Sequence, residues 1–164
     1  MTKVELLENL CAALKTETKD LLMPVALQKG DTEQIYRCPD IHKMRLPNSM
    51  EPYKKVPYIL VRVISGKDEQ SEGSRPVSKA VVRMTFAVYE KDEAAGEMLL
   101  LNLMERVRIG LEKRIVIGGI FELDLTEGVQ TDIYDGMKAP YYAGEMISVW
   151  KMPAIQREDI RECL

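Results

Sequence analysis

Few residues in this chain could do chemistry. The single histidine, His42, stands in Cys38-Pro39-Asp40-Ile41-His42, where a thiolate and an imidazole four positions apart could share a divalent metal. A structural zinc centre needs four such ligands, and Cys11 and Cys163 have no paired spacing that would complete one. Nucleophilic catalysis asks for a serine or cysteine held against a histidine base, and no local signature of that kind surrounds His42. The carboxylate pairs Glu122/Asp124 and Glu158/Asp159 fall at alternate or adjacent positions on a strand and a tail, which reads as a solvated face rather than an acid-base pair. Gly118-Gly119 does not follow a strand and open a helix, so it reads as a turn and not as a phosphate loop. The expectation is a non-enzymatic chain: no catalytic residue, no metal and no cofactor.

Binding chemistry is equally sparse. Lys43, Arg45, Lys54 and Lys55 lie near Tyr36 and Tyr53, a loose version of the basic and aromatic pattern that holds single-stranded nucleic acid. A net charge of -3 supplies no concentrated basic surface for phosphate, so no specific nucleic-acid partner is expected. No apolar run approaches the ~20 residues that cross a bilayer, and Met1 leads into an acidic amphipathic helix without the pattern of a secretory leader. Three cysteines, odd in number and far apart, fit a reducing compartment better than a disulfide framework. The expected location is the cytoplasm in which the chain is made.

The elements that would position such residues can be read from periodicity. In 164 residues with 46% hydrophobic and 30% charged side chains, one domain with a real core is expected. Val82, Met84, Phe86 and Val88 alternate along a strand over 80–89, with one apolar face. After Asp92, a good N-cap, the period changes to three and four through Leu100, Leu103, Met104, Val107 and Leu111, the stripe of a helix. Gly96 within its first turn costs roughly 1 kcal/mol against alanine. An N-terminal helix is predicted over 2–14 with a Thr2/Glu5 capping box, then an apolar patch over 21–27 that Pro24 restricts to a short edge strand or a bent turn. Residues 29–56 lose periodicity and carry three prolines, as an irregular arm would. Further strands are predicted over 58–64, 121–125, 130–134 and 145–152, with Glu122 and Asp124 on a wet face. Together these give an α+β fold: a mixed, largely antiparallel sheet of about four to five strands with two helices packed on one face. The chain divides into 1–28 (helix and apolar segment), 29–56 (arm), 57–153 (core) and 154–164 (surface tail).

One stretch exceeds what the fold needs. Ser65 to Lys79 is polar throughout and joins two strands that a turn of two to five residues could close. It reads as a loop held loosely in the free subunit and fixed against a neighbour, with Lys67, Asp68, Glu69, Glu72 and Arg75 setting register; residues 29–56 are the alternative arm.

An ordered series of local phrases resembles the tail-terminator and related minor tail, head-tail joining proteins of long-tailed bacteriophages and prophages. The series is Val56-Pro57-Tyr58-Ile59-Leu60-Val61-Arg62, Phe86-Ala87-Val88-Tyr89-Glu90-Lys91-Asp92, Leu103-Met104-Glu105-Arg106-Val107-Arg108, Ala139-Pro140-Tyr141-Tyr142-Ala143-Gly144-Glu145 and Trp150-Lys151-Met152-Pro153. The resemblance implies a structural protein whose copies form a ring of six that caps the tail tube and joins it to the neck below the head. Its implied partners are therefore itself, the tail-tube protein and a neck or head-closure protein, in the virion tail, and it carries over no catalytic residue. Another neck, minor capsid or tail-tube component is the alternative within that class; a cytoplasmic enzyme of unknown activity is the alternative outside it.

Overall fold

The computed structural model describes residues 1–48 and 55–155. Helix α1 spans Lys3–Thr18, started by the expected capping box: Thr2 Oγ accepts from the Glu5 backbone and the Glu5 carboxylate accepts from the Thr2 backbone. Helix α2 spans Glu93–Arg114, with Asp92 as its N-cap accepting from Ala94 N at 3.0 Å. Among the described residues nine strands follow chain order: β1 (Met23–Pro24), β2 (Tyr36–Arg37), β3 (Asp40–Lys43), β4 (Tyr58–Glu69), β5 (Val77–Tyr89), β6 (Val116–Ile117), β7 (Phe121–Leu123), β8 (Gln130–Ile133) and β9 (Tyr141–Met152).

The fold is α+β, with two helices and a mixed, mostly antiparallel sheet. That sheet has seven strands, against the four to five expected, in the order β3-β4-β5-β9-β7-β6 with β8 also on β9; β1 and β2 form a separate ribbon. Three of the extra strands, β1, β2 and β6, have two residues each, too few to display a period. β3 corrects the reading of 29–56 as wholly irregular, because it pairs parallel with β4, Ile41 beside Ile59 and Lys43 beside Val61. It is this pair that makes the sheet mixed.

β5 and β9 pair from Ser78↔Met152 to Tyr89↔Tyr141 and form the spine. β9 begins at Tyr141, four residues before the expected start, because the Tyr141 to Gly144 stretch is held by pairing to β5 rather than by alternation of its own. One face of the spine buries Ala80, Val82, Met84, Phe86 and Val88, together with Met146 and Trp150, under Leu100, Leu103, Met104 and Val107 of α2 and Leu6, Leu10 and Leu14 of α1. Both stripes read from sequence are therefore in one core. On the opposite face, a smaller cluster of Val56, Tyr58, Ala87 and Tyr89 packs with Ala26, Leu46, Leu60 and Tyr141. That cover stops there, and the rest of this outer face carries half-buried and exposed side chains.

Candidate oligomerisation surface

The end of the β4–β5 hairpin, Ser65 to Lys79, forms an arm whose base still has β9 on the other side of β5 as far as Ser78↔Met152, so that only Glu69↔Val77 and the tip run past the three-stranded sheet. After Val63↔Val82 a bulge shifts the register, and Ser65↔Val81, Gly66↔Ala80, Lys67↔Lys79, Asp68↔Ser78 and Glu69↔Val77 follow. The tip is residues 70–76, where Gly73 has a φ of 75° and Ser74 N donates to Ser71 O at 3.0 Å. Ser65 to Lys79, expected as a loose loop, is thus mostly regular β structure. Its strand residues face solvent through Lys67, Asp68 and Glu69, which erases the apolar alternation that would have announced it. The conformation is inherited from a ladder already formed deeper in the sheet.

β3 covers only Tyr58 to Val61 of the outer side of β4, so among the described residues Val63 to Glu69 has no strand partner there. Lys3 lies across this edge instead. A Cβ on Gly66 would sit 2.1 Å from Lys3 Cε, so glycine makes room for the lysine stem, and the Lys3 ammonium stands 3.8 Å from the Asp68 carboxylate. Charge on an open edge hinders unspecific strand addition.

The five residues expected at an interface divide by their partners. Lys67 pairs with Glu69. Asp68 accepts from the Ser78 hydroxyl and faces Lys3. Glu72 and Arg75 stand at the exposed tip with no ion pair or hydrogen bond among the described residues.

The outer sheet face continues from the arm. Lys67, Lys79 and Lys151 lie side by side across β4, β5 and β9, an arrangement that would be repulsive without counter-charge. Each lysine has an acid: Glu69 for Lys67, Asp124 at 2.8 Å for Lys79, and Glu122 at 3.1 Å for Lys151. Asp124 was expected on a wet face beside Glu122, yet it is 1% exposed. The strand ends at Leu123, and Asp124 is closed off from solvent on this outer face where the chain passes from β7 to β8, also accepting from Thr126 N and Glu127 N at 3.1 and 3.4 Å. The Lys79 ammonium holds its carboxyl below the usual carboxylate range, against the opposing effect of burial. For the same reason, the Lys79 ammonium is raised above the usual lysine value.

Deeper in the sheet, Arg62 and Arg83 are directly opposed across β4 and β5. Arg83 Nε is 3.2 Å from a Glu145 carboxylate oxygen, an ion pair without hydrogen-bond geometry, and that oxygen accepts from the Tyr134 hydroxyl at 3.1 Å. Arg62 is exposed and has no acid or hydrogen bond among the described residues. Sequence reasoning missed Arg62, Lys79, Arg83 and Asp124 as site residues. The available signal was that Arg62 and Arg83 each stand between apolar positions of β4 and β5.

The Cys38 and His42 pair is not assembled as a metal site. The Cys38 thiol donates to the Lys19 carbonyl at 3.1 Å, whereas His42 lies edge-on to Tyr58 with ring centroids 6.1 Å apart. Among the described residues no group of three or more His, Cys, Asp or Glu side chains could hold a metal ion, and no helix is long and apolar enough to cross a membrane. Tyr53, Lys54, Glu158, Asp159, Cys163 and the tail from residue 156 onward, all named in the sequence reading, lie outside the described residues.

No family model matches this sequence, and no curated protein does. Among solved structures 33 chains match. One of them, which carries an identifier rather than a functional description, superposes with a TM-score of 0.50 at 10% identity, over 94% of this chain and 95% of its own. A likeness at that identity shows a shared fold and says nothing of activity.

Proposed function

We propose that this chain is the subunit of a ring in a phage or prophage tail, of the tail-terminator type, which caps the tail tube and presents a surface to the neck. One observation carries the reading: the charged end of the β4–β5 hairpin runs past the last pairing with β9, Ser78↔Met152, into a tip over residues 70–76 that adds nothing to the helix-covered core. A ring needs heterologous contacts, in which two different surfaces of one subunit meet, and a projecting arm supplies one surface without disturbing the core. The ordered phrases from Val56 to Pro153 supply the family, and they fall on the elements that build the spine: the start of β4, the end of β5, the middle of α2 and both ends of β9.

Replacing Asp68–Ser78 with Asn-Gly tests it. Lys67 and Lys79 are already cross-strand partners, so a two-residue type I′ turn can close the shortened hairpin, and the Lys79–Asp124 pair is retained. The shortened chain is expected to melt as the intact one does and to remain a monomer, while the intact chain sediments as a ring and shows sixfold particles in electron micrographs. Rings of unchanged symmetry from the shortened chain would reject the arm as their source.

A further inference from the structure

We propose that the arm tip of one copy docks on the Arg62/Arg83 pair of the next, with Glu72 as the docking carboxylate. This deepens the ring reading and rests on it: the new content is the receiving surface and the charge that recognises it.

The receiving surface is identified by an imbalance. Two guanidinium groups are placed directly opposite one another on neighbouring strands, an arrangement that destabilises a sheet unless it is neutralised. One carboxylate, Glu145, serves Arg83 and is shared with the Tyr134 hydroxyl. Arg62 has none, although the other cations of this face, Lys67, Lys79, Arg83 and Lys151, each have an acid. Two adjacent guanidinium forks suit a carboxylate, which they can bind through paired N–H donors. Half-buried Leu60, Val81 and Ile147 surround the pair and provide an apolar rim.

The docking group is identified by the complementary imbalance. Of the three acids on the arm, Asp68 is engaged by Ser78 and Lys3, and Glu69 by Lys67. Glu72 is exposed at the tip and has no partner, with the half-exposed Val77 nearby on the returning strand. Arg62 sits at the base of the arm and Glu72 at its end, about 25 Å away at ~3.4 Å per strand residue. The ladder from Ser65↔Val81 to Glu69↔Val77 holds these two ends of one subunit apart, so the contact is between copies, and it is head to tail. That is the heterologous geometry a ring requires.

Charge reversal in the full-length chain decides the matter. Arg62→Glu and Glu72→Arg are each expected to raise the concentration needed for assembly, read by sedimentation velocity, at least tenfold, and the double variant is expected to recover most of the loss. Thermal melting of each monomer controls for folding; Arg62→Gln is expected to melt at or above the unsubstituted chain, because it removes the opposed charge. If Arg62→Glu assembles like the unsubstituted chain, or if the double variant fails to recover while each single variant melts normally, the docking proposal is wrong and the ring reading stands. If the unsubstituted chain stays monomeric at every concentration, the ring reading fails, and the docking proposal with it.

Discussion

The Lys79 ammonium lies 2.8 Å from the carboxylate of Asp124, a residue almost sealed from solvent at 1% exposure, and so ties the crossing from β7 to β8 onto the start of β5. The carboxylate is also bonded to two backbone N–H groups of its own turn, so the pair fixes both a side chain and a loop.

Removing that charge has a defined pH signature. Asp124→Asn is expected to cost about 1 to 3 kcal/mol at neutral pH, the range for a charged hydrogen bond that leaves a partner behind. Because the Asp124 carboxyl titrates below its ordinary range when folded, its contribution is complete above the unfolded value near 4 and disappears as pH falls through the folded value. Urea unfolding of both chains should therefore show a gap at pH 7 that narrows below about pH 4. A gap that is unchanged down to pH 2 would mean that the ion pair is not its source.

Gly96 answers to Tyr142. A Cβ at position 96 would lie 2.0 to 2.5 Å from three atoms of the Tyr142 ring, which is 3% exposed and cannot swing away. Gly96→Ala should thus destabilise by about 1 to 3 kcal/mol through overpacking, even though alanine gains roughly 1 kcal/mol in helix propensity. The Tyr142 hydroxyl is buried without a hydrogen-bond partner, and burial, reinforced by the carboxylates of Glu93 and Glu97, raises its pKa. Tyr142→Phe is expected to be neutral or stabilising by up to about 2 kcal/mol; a loss of stability in calorimetry would reveal a bond that this geometry lacks.

Leu103 and Val107 are fully buried in the core shared with Phe86 and Val88. Leu103→Ala should cost about 2 to 5 kcal/mol and Val107→Ala somewhat less, as cavity-forming truncations do. An unaltered melting temperature for Leu103→Ala would contradict its place in the core.

His42 presents a different pH dependence. Burial lowers its pKa, outweighing the opposite pull of Asp40, and its Nε2 has no hydrogen-bond partner. The neutral ring is the folded form, so stability is full above the unfolded value near 6.5 and declines as pH falls through the folded one. His42→Leu is expected to fold, to assemble as the unsubstituted chain does, and to flatten the stability profile between about pH 7 and pH 5. Zinc bound stoichiometrically by the unsubstituted chain and lost on this substitution would assign the residue a ligand role instead.

Sequence alone determined the parts whose periodicity is set by one buried face. α2, β5 and the N-terminal helix show their stripes because each has an apolar side toward one core and a polar side toward water, and their caps are local bonds between residues within three positions. Tertiary structure decided the rest. The arm is strand because the ladder beneath it continues, though its β4 residues Ser65 to Glu69 meet solvent; β3 is strand because β4, 18 residues on, offers it a parallel partner. Gly96 reads as a weak point in a helix until Tyr142, 46 positions later, is placed against it. The opposed Arg62 and Arg83, and the Asp124 that reaches Lys79, are invisible in one dimension for the same reason: register between distant strands decides which charges meet, and register is a property of the folded sheet.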